Sequence, residues 1–232
     1  MTNMILPASE PKNPIALRGV VMGLFLCIAL TLGSNAYASV ATKPSFFNST
    51  EQVSTKLTAL KKWNGALARY SQERSQAKQG ICGDQKLNAC NFDKWMTFLK
   101  GLKGKDRVSQ IRAVNDYMNR APYIVDPINW GRKDYWASPG EFMAKFGDCE
   151  DYAIAKYISL RLLGYDEMSL RVVAVKDLNL KIGHAILIVF YKGKPYVLDN
   201  QIKQVVPARK VKHYLPIFSI NEKAWWKHTP NS

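Results

Sequence analysis

Apolar residues recur at helical spacing near the start of the folded part of the chain. From Glu51 to about Lys78 this spacing predicts one long amphipathic helix, with apolar positions at Val53, Leu57, Leu60, Leu67 and Tyr70. Ser49 and Gln52 have the spacing of a capping box for the start of that helix. The pattern therefore predicts that the domain opens with a helix.

Two shorter helical patterns follow. One runs from Phe92 to Leu102, and the other runs from Val108 to Met118 behind Asp106, which is a good N-cap residue. Pro122 ends the helical spacing, and residues 123–139 are rich in aromatic and turn-forming residues. The amino-terminal half is therefore predicted to be a helical layer that ends in an irregular aromatic segment.

After residue 170 the pattern changes to short β-rich runs, whose close spacing predicts a mainly antiparallel sheet. The runs cover Leu170–Val175, His184–Tyr191, Pro195–Asp199 and Gln204–Val206. If residues 192 and 193 form a two-residue turn, Asp199 lies opposite Ile186 and becomes a diagonal neighbour of His184. A register slip of one residue would place the two side chains on opposite faces. The predicted fold class is α+β, with a helical amino-terminal half packed on an antiparallel sheet.

A strongly helical stretch begins at Cys149, between these two halves. Gly147 permits a tight turn, Asp148 is a good N-cap, and the helix is expected to end near Gly164 in a C-cap. The free N–H groups and the dipole at a helix start favour a thiolate. We therefore interpret Cys149 as a nucleophile.

Three acids crowd this cysteine, at Asp148, Glu150 and Asp151. Negative charges so close to the sulfur disfavour a thiolate, so something should offset them. A hard cation such as calcium would use these carboxylates as ligands. The alternative is that they are an N-cap and first-turn acids that complement the helix dipole, and the spacing leaves both interpretations open.

The first 38 residues have the pattern of a secretory signal. Lys12 and Arg18 form a basic segment, Val20–Leu32 is apolar, and Ala36-Tyr37-Ala38 is a small-x-small cleavage site. Cleavage near Ala38 would export the mature protein, whereas an uncleaved membrane anchor is the alternative. We expect a linker over residues 39–50 and one domain over residues 51–232.

The net charge of the whole chain is +15. Removing the signal takes away Lys12, Arg18 and Glu10, so the mature chain keeps a charge of about +14. This basic balance favours anionic partners, such as a membrane surface, cell-wall polymer or an acidic protein, and export argues against nucleic acid. The alternative is a solvated basic surface that only aids solubility.

Three of the four cysteines remain after cleavage: Cys82, Cys90 and Cys149. Cys82 and Cys90 flank a short polar segment that an oxidising compartment could close as a disulfide. A zinc site there is disfavoured because no further Cys or His lies nearby. Cys149 would then be the unpaired thiol.

Cys149, His184 and Asp199 together supply the groups of a nucleophilic triad. A thiolate attacks, an imidazole accepts and returns its proton, and a carboxylate orients that imidazole. An isolated His and Asp on a sheet would usually be structural. Beside an unpaired cysteine at a helix start, they point to acyl-transfer chemistry.

The sequence resembles the transglutaminase-like cysteine proteinases of bacteria. The resemblance is carried by Gly147-Asp148-Cys149-Glu150-Asp151-Tyr152-Ala153, Gly183-His184-Ala185 and Leu198-Asp199-Asn200. It implies a papain-like, transglutaminase-like α+β fold and a Cys149, His184, Asp199 triad. It also implies calcium dependence through Asp148, Glu150 and Asp151.

The same resemblance implies a periplasmic protease that cleaves the N-terminal region of a large cell-surface adhesin and so promotes biofilm dispersal. It further implies an inhibitory partner, the periplasmic domain of an inner-membrane receptor for cyclic di-GMP. We expect a monomer or a weak dimer. A transglutaminase that passes the acyl group to an amine, and a non-catalytic binding module on the same fold, are the alternatives.

Overall fold

The protein was analysed as a computed structural model that describes Lys43 and residues 45–77 and 89–231. The predicted signal over residues 1–38 lies outside the described residues, and so does Cys82, so the proposed Cys82–Cys90 disulfide stays a prediction. No helix in the described part is both long enough and apolar enough to cross a membrane.

The described residues form a helical layer and one sheet. The α-helices are α1 (Lys61–Ala77), α2 (Ala89–Leu102), α3 (Arg107–Met118), α4 (Asp126–Asn129), α5 (Pro139–Lys145) and α6 (Cys149–Leu162). The strands are β1 (Ser49–Ser54), β2 (Leu170–Asp177), β3 (Gly183–Tyr191), β4 (Lys194–Leu198), β5 (Val206–Pro207), β6 (Tyr214–Ile220) and β7 (Trp225–Pro230). The predicted α+β class is confirmed.

The strand order in the sheet is β1-β7-β6-β2-β3-β4-β5, and neighbouring strands are antiparallel. The β3–β4 hairpin pairs Tyr191 with Lys194 and Leu187 with Leu198, so the predicted two-residue turn and register are confirmed. Because side chains alternate between the two faces of a strand, this register puts His184 of β3 and Asp199, the residue after β4, on the same face of the sheet.

Helix α6 lies in the middle of the molecule, between the sheet and the other helices. Its residues from Asp151 to Leu160 are all buried, and it packs against β2, β3, α3 and α5. The helix ends as predicted: Gly164 has φ +81°, and Tyr165 N–H donates to Leu160 O over 3.0 Å in a Schellman motif. The Asp106 cap of α3 is also confirmed, because its Oδ1 accepts from Val108 and Ser109 N–H.

The predicted helix from Glu51 is wrong in its first part, because residues 49–54 form β1 and the helix begins only at Lys61. The predicted Ser49–Gln52 capping box is therefore absent. Ser49 Oγ instead donates to Phe46 O over 3.0 Å and lies 2.9 Å from His228 Nδ1 on β7. Phe46 and Ser49, which lie within the expected 39–50 linker, are buried against the domain.

Long-range side-chain contacts explain why this segment becomes a strand. Glu51 on β1 forms an ion pair with the buried Arg171 on β2 over 2.7 Å, and the Arg171 guanidinium lies 3.7 Å from the ring centroid of Trp226 on β7. Such a desolvated cation–π contact is stronger than one at an exposed surface. Tertiary contacts therefore override the helical spacing of the segment.

Lys156 is a buried cation in the middle of α6. The residue has no exposed surface, and its Nζ has no hydrogen-bond partner in the described structure. Burial lowers the pKa of Lys156 from 10.5 to about 7, although the charges of Asp199 and Asp116 act in the opposite direction. This change corresponds to a penalty of roughly 5 kcal/mol for the protonated folded state.

Replacing Lys156 by the apolar Met should therefore stabilise the protein, most strongly below pH 7. Between pH 7 and about 10.5 the unfolded chain binds more protons at Lys156 than the folded chain, so the stability of the wild type rises with pH. The advantage of Lys156→Met should shrink over that interval. Urea unfolding from pH 6 to 10 measures the difference, with Lys94→Met on the exposed side of α2 as the control. A constant difference between Lys156→Met and wild type across this range would contradict the burial argument.

Candidate active site and acidic cluster

His184 and Asp199 form a buried hydrogen-bonded pair at one end of the sheet. His184 Nε2 lies 2.9 Å from Asp199 Oδ1, and both side chains are almost completely buried. The other ring nitrogen, Nδ1, lies 3.3 Å from Gln201 Nε2. Because Asp199 engages Nε2, Nδ1 is the nitrogen that can exchange a proton with a nucleophile.

The Asp199 carboxylate is held by further donors. Tyr214 Oη donates to Oδ2 over 2.6 Å, and Gln201 N–H donates to Oδ1 over 2.9 Å. Burial alone would raise the pKa of Asp199, but the hydrogen bonds from His184, Tyr214 and Gln201 lower it below its ordinary value. Asp199 is therefore ionised at neutral pH and can orient the imidazole. The role of Tyr214 could not be predicted, since it comes from β6, which the sequence pattern did not reveal.

Cys149 is the first residue of α6 and a free thiol. Its sulfur faces the backbone N–H of Ala185, the residue after His184 on β3. Burial raises the pKa of the thiol, the charge and hydrogen bond of Glu150 raise it further, and so does the charge of Asp148. The Cys149 thiol donates a hydrogen bond to Glu150 Oε2 over 3.1 Å. Burial and the neighbouring acids therefore keep Cys149 a thiol.

The chain reaches α6 through a strained and crowded turn. Phe146 has φ +63°, a conformation that is costly for a non-glycine residue, and its carbonyl accepts from Asn129 Nδ2 over 3.1 Å. Gly147 follows, and a Cβ there would lie 2.0 Å from Asp151 Oδ2. Gly147 is therefore required by the close approach of Asp151, rather than by an unusual backbone angle.

Asp151 serves as a structural anchor for this turn. Its Oδ1 accepts from Ala137 N–H over 2.6 Å, and its Oδ2 accepts from Asp148 N–H over 3.2 Å. The carboxylate thereby connects the loop before α5 with the start of α6. Both of its oxygens accept a backbone N–H, which fits the capping interpretation of this acid.

Two acids outside the cysteine block complete a carboxylate cluster, Asp126 on α4 and Asp134 in the following loop. Oxygen atoms of Asp126, Asp148 and Asp151 lie within 4.8 Å of one another, and so do those of Asp126, Asp134 and Glu150. Asp126 is common to both groups. The segment 123–139, predicted only to be aromatic and irregular, thus brings further carboxylates to the three predicted ones.

The cluster has the properties of a site for a hard cation. Burial raises the pKa of Asp126; burial and the adjacent Glu150 raise that of Asp148 to about 8. Asp126 Oδ1 and Asp148 Oδ1 are buried and lack a hydrogen-bond partner within the described structure. Calcium takes six to eight oxygen ligands, so unpaired carboxylate oxygens at this density fit calcium.

Asp177, the last residue of β2, takes no part in this cluster. Asp177 Oδ1 accepts from the backbone N–H groups of Asn179 and Leu180 over 2.8 and 3.0 Å. The side chain therefore closes its own loop, and Asp177 is not a member of the acidic groups found in the described residues.

Comparison with known proteins supports a relationship to proteases. The family model of the bacterial transglutaminase-like cysteine proteinases matches residues 58–231. The solved structure of Legionella pneumophila LapG is 30% identical and covers 68% of this chain and 87% of its own, with a TM-score of 0.58. The calcium-bound structure of the same Legionella protein gives the same identity, coverage and TM-score. For its EGTA-treated structure the identity and TM-score are again the same, and 84% of that chain is covered. No curated protein sequence gave a match.

The contact between Gly147 and Asp151 makes a direct prediction. Gly147→Ala should collide with the Asp151 carboxylate, lower the free energy of unfolding by about 2–3 kcal/mol and disturb the start of α6. Gly101→Ala on α2 is the control, because a Cβ there meets no atom within 4 Å. Urea denaturation of both variants measures the difference. Equal stabilities would show that the turn relaxes without cost.

Proposed function

Because the chain belongs to the bacterial transglutaminase-like cysteine proteinases, we propose that it is a calcium-dependent cysteine endopeptidase with Cys149, His184 and Asp199 as its catalytic residues. One observation carries the proposal. The hydrogen-bonded His184–Asp199 pair lies at the end of β3 where the Ala185 N–H meets the Cys149 sulfur. In this proposal Cys149 is the nucleophile, His184 the base and Asp199 the carboxylate that orients the base.

In the proposed reaction, His184 Nδ1 takes the thiol proton as the sulfur attacks the carbonyl carbon of a peptide bond. Asp199 holds the Nε2 side of the ring through the 2.9 Å contact and stabilises the imidazolium. When the C–N bond breaks, His184 returns the proton to the leaving amine and an acyl-enzyme remains. Water, activated by His184, then hydrolyses the thioester and regenerates the thiol.

The acidic cluster gives this mechanism its calcium dependence. The proposed calcium ligands are Asp126, Asp134, Asp148 and Glu150. Asp151 belongs to the same cluster, but both of its oxygens already accept the backbone N–H groups that hold the turn. A bound divalent cation would offset the negative charge of the carboxylates next to the sulfur and so favour the thiolate. As a ligand, Glu150 would no longer be free to accept the hydrogen bond that the Cys149 thiol donates to it in the absence of a cation.

We further propose that the substrate is the N-terminal region of a large surface adhesin and that the protease acts in the periplasm. The basic mature charge of about +14 is compatible with an acidic protein substrate. Control by a periplasmic receptor domain that responds to cyclic di-GMP remains part of this proposal. Its support is the resemblance of the cysteine, histidine and aspartate blocks to the family.

Cys149→Ala should abolish peptide cleavage and leave the fold intact, since the thiol contributes little buried area. The purified protein is incubated with calcium and a peptide library, with and without an added primary amine, and the products are identified by mass. Cleavage of peptides supports the protease. Incorporation of the amine would indicate a transglutaminase, and the absence of both products would indicate a binding module. If the Cys149→Ala variant still cleaves peptides at the wild-type rate, the assignment of the catalytic triad is wrong.

Removal of calcium by a chelator should suppress cleavage, and calcium should restore it. Asp126→Asn should weaken calcium binding, measured by titration calorimetry, at least about tenfold, because one charge of the cluster is lost. Asp166→Asn, an exposed carboxylate away from the cluster, is the matched control. Full activity in excess chelator would eliminate the calcium requirement, and unchanged affinity in Asp126→Asn would exclude this residue from the site.

A further inference from the structure

Gln201 lies in the loop after Asp199 and contacts both members of the buried His184–Asp199 pair. Its backbone N–H donates to Asp199 Oδ1 over 2.9 Å, and its side-chain Nε2 lies 3.3 Å from His184 Nδ1. The residue itself is exposed to solvent. One residue therefore holds the carboxylate with its backbone and reaches the imidazole with its side chain.

The hydrogen bonds around Asp199 fix the direction of the contact with the imidazole. Both carboxylate oxygens accept, Oδ2 from Tyr214 Oη and Oδ1 from Gln201 N–H, so His184 Nε2 is the donor in its 2.9 Å contact with Oδ1. A neutral imidazole with its proton on Nε2 carries a lone pair on Nδ1. The Gln201 amide therefore donates to Nδ1, which is the nitrogen that the proposed reaction uses as a base.

The Cys149 thiol has a different partner, because it donates to Glu150 Oε2 over 3.1 Å. The proposed reaction requires its proton on His184 Nδ1, and the single lone pair of that nitrogen is the acceptor for the Gln201 amide. The thiol can use Nδ1 only after the amide has turned away. At 3.3 Å the amide contact is longer than the usual about 2.9–3.0 Å of an N–H donor, so it exchanges easily.

The backbone of this loop is fixed, whereas the Gln201 side chain is free to turn. Asn119, the C-cap of α3, donates from Nδ2 to Asp199 O over 2.7 Å. Asn115, four residues earlier, donates from Nδ2 to Lys203 O over 2.8 Å. Helix α3 thus holds both ends of the loop, and the imidazole is buried and held at Nε2. The exposed amide of Gln201 is the part of this arrangement that can move.

We propose that Gln201 is a positioning residue, which holds His184 Nδ1 as a hydrogen-bond acceptor at rest and releases it before the base takes the Cys149 proton. The inference rests on the proposed function, because it requires His184 as the base for Cys149. In this step the amide hydrogen bond to Nδ1 breaks, and the S–H proton moves to the freed lone pair. Imidazolium has no lone pair on Nδ1, so the amide cannot donate there again until that proton has passed to the leaving amine.

Gln201→Met tests the proposal, because Met keeps the length of the side chain and removes its donor while the backbone N–H remains. In the full chain with calcium and ¹⁵N-labelled histidine, the Nδ1 signal of His184 should move downfield, toward that of an unbonded pyridine-type nitrogen. His184→Asn identifies this signal by its loss. Alkylation of Cys149 by iodoacetamide, followed by mass spectrometry of the Cys149 peptide, should become about 2- to 10-fold faster, since no amide hydrogen bond has to break first.

Gln204→Met, the same change at another exposed position of the loop, is the matched control and should leave both measurements unchanged. An unchanged Nδ1 signal in Gln201→Met would overturn the proposal, because the amide would then not be the partner of that nitrogen. Unchanged or slower alkylation would also overturn it, since the amide would then not hold the base back. If His184→Asn is alkylated as fast as wild type, the proposed base itself fails, which is a separate result from the comparison of Gln201→Met with wild type.

Discussion

The burial of α6 from Asp151 to Leu160 is the constraint on which the rest of the structure depends. A helix without a solvent-facing side has to be covered from every direction, and here β2 and β3 cover one side while α3 and α5 cover the other. Displacement of the helix would open the core on both sides at once. Cys149, the first residue of α6, is therefore anchored by the buried part of the helix that follows it.

The same arrangement concentrates negative charge at the exposed end of a buried helix. The helix dipole favours acids at that end, but a cluster of carboxylates exceeds what the dipole can balance and raises the pKa of the thiol between them. Asp151 is satisfied by backbone N–H groups, whereas Asp126 and Asp148 each keep an unpaired buried oxygen. The site thus combines a structural acid whose oxygens are satisfied with acids that keep buried oxygens of the kind that a hard cation takes as ligands.

Local signals were sufficient to predict α6, its Gly164 cap, the Asp106 cap and the β3–β4 register, because each depends on neighbouring residues. The hydrogen-bonded proximity of His184 and Asp199 followed from that register. Strand β1 was mistaken for a helix, since its partner Trp226 lies far along the chain and Val53 and Leu57 also fit helical spacing. Strand β6 was not predicted: it contains Pro216, which lies where its pairing with β2 changes register. Asp126 and Asp134 were not predicted as site residues because nothing in their irregular segment indicates that it folds back on α6.

Strand β1 lies at one edge of the sheet and is held by β7, the last strand of the described residues, with hydrogen bonds between residues 179 positions apart. Strand β1 consequently cannot pair until β7 has formed. Until then Arg171 lacks its contacts with Glu51 and Trp226. Such distant pairing slows folding, because a very long loop has to close before the contact contributes. Residues 225–230 therefore have to be in place before β1 can pair and before Arg171 gains both partners, so the sheet is completed only after the cysteine helix and the strands between have been made.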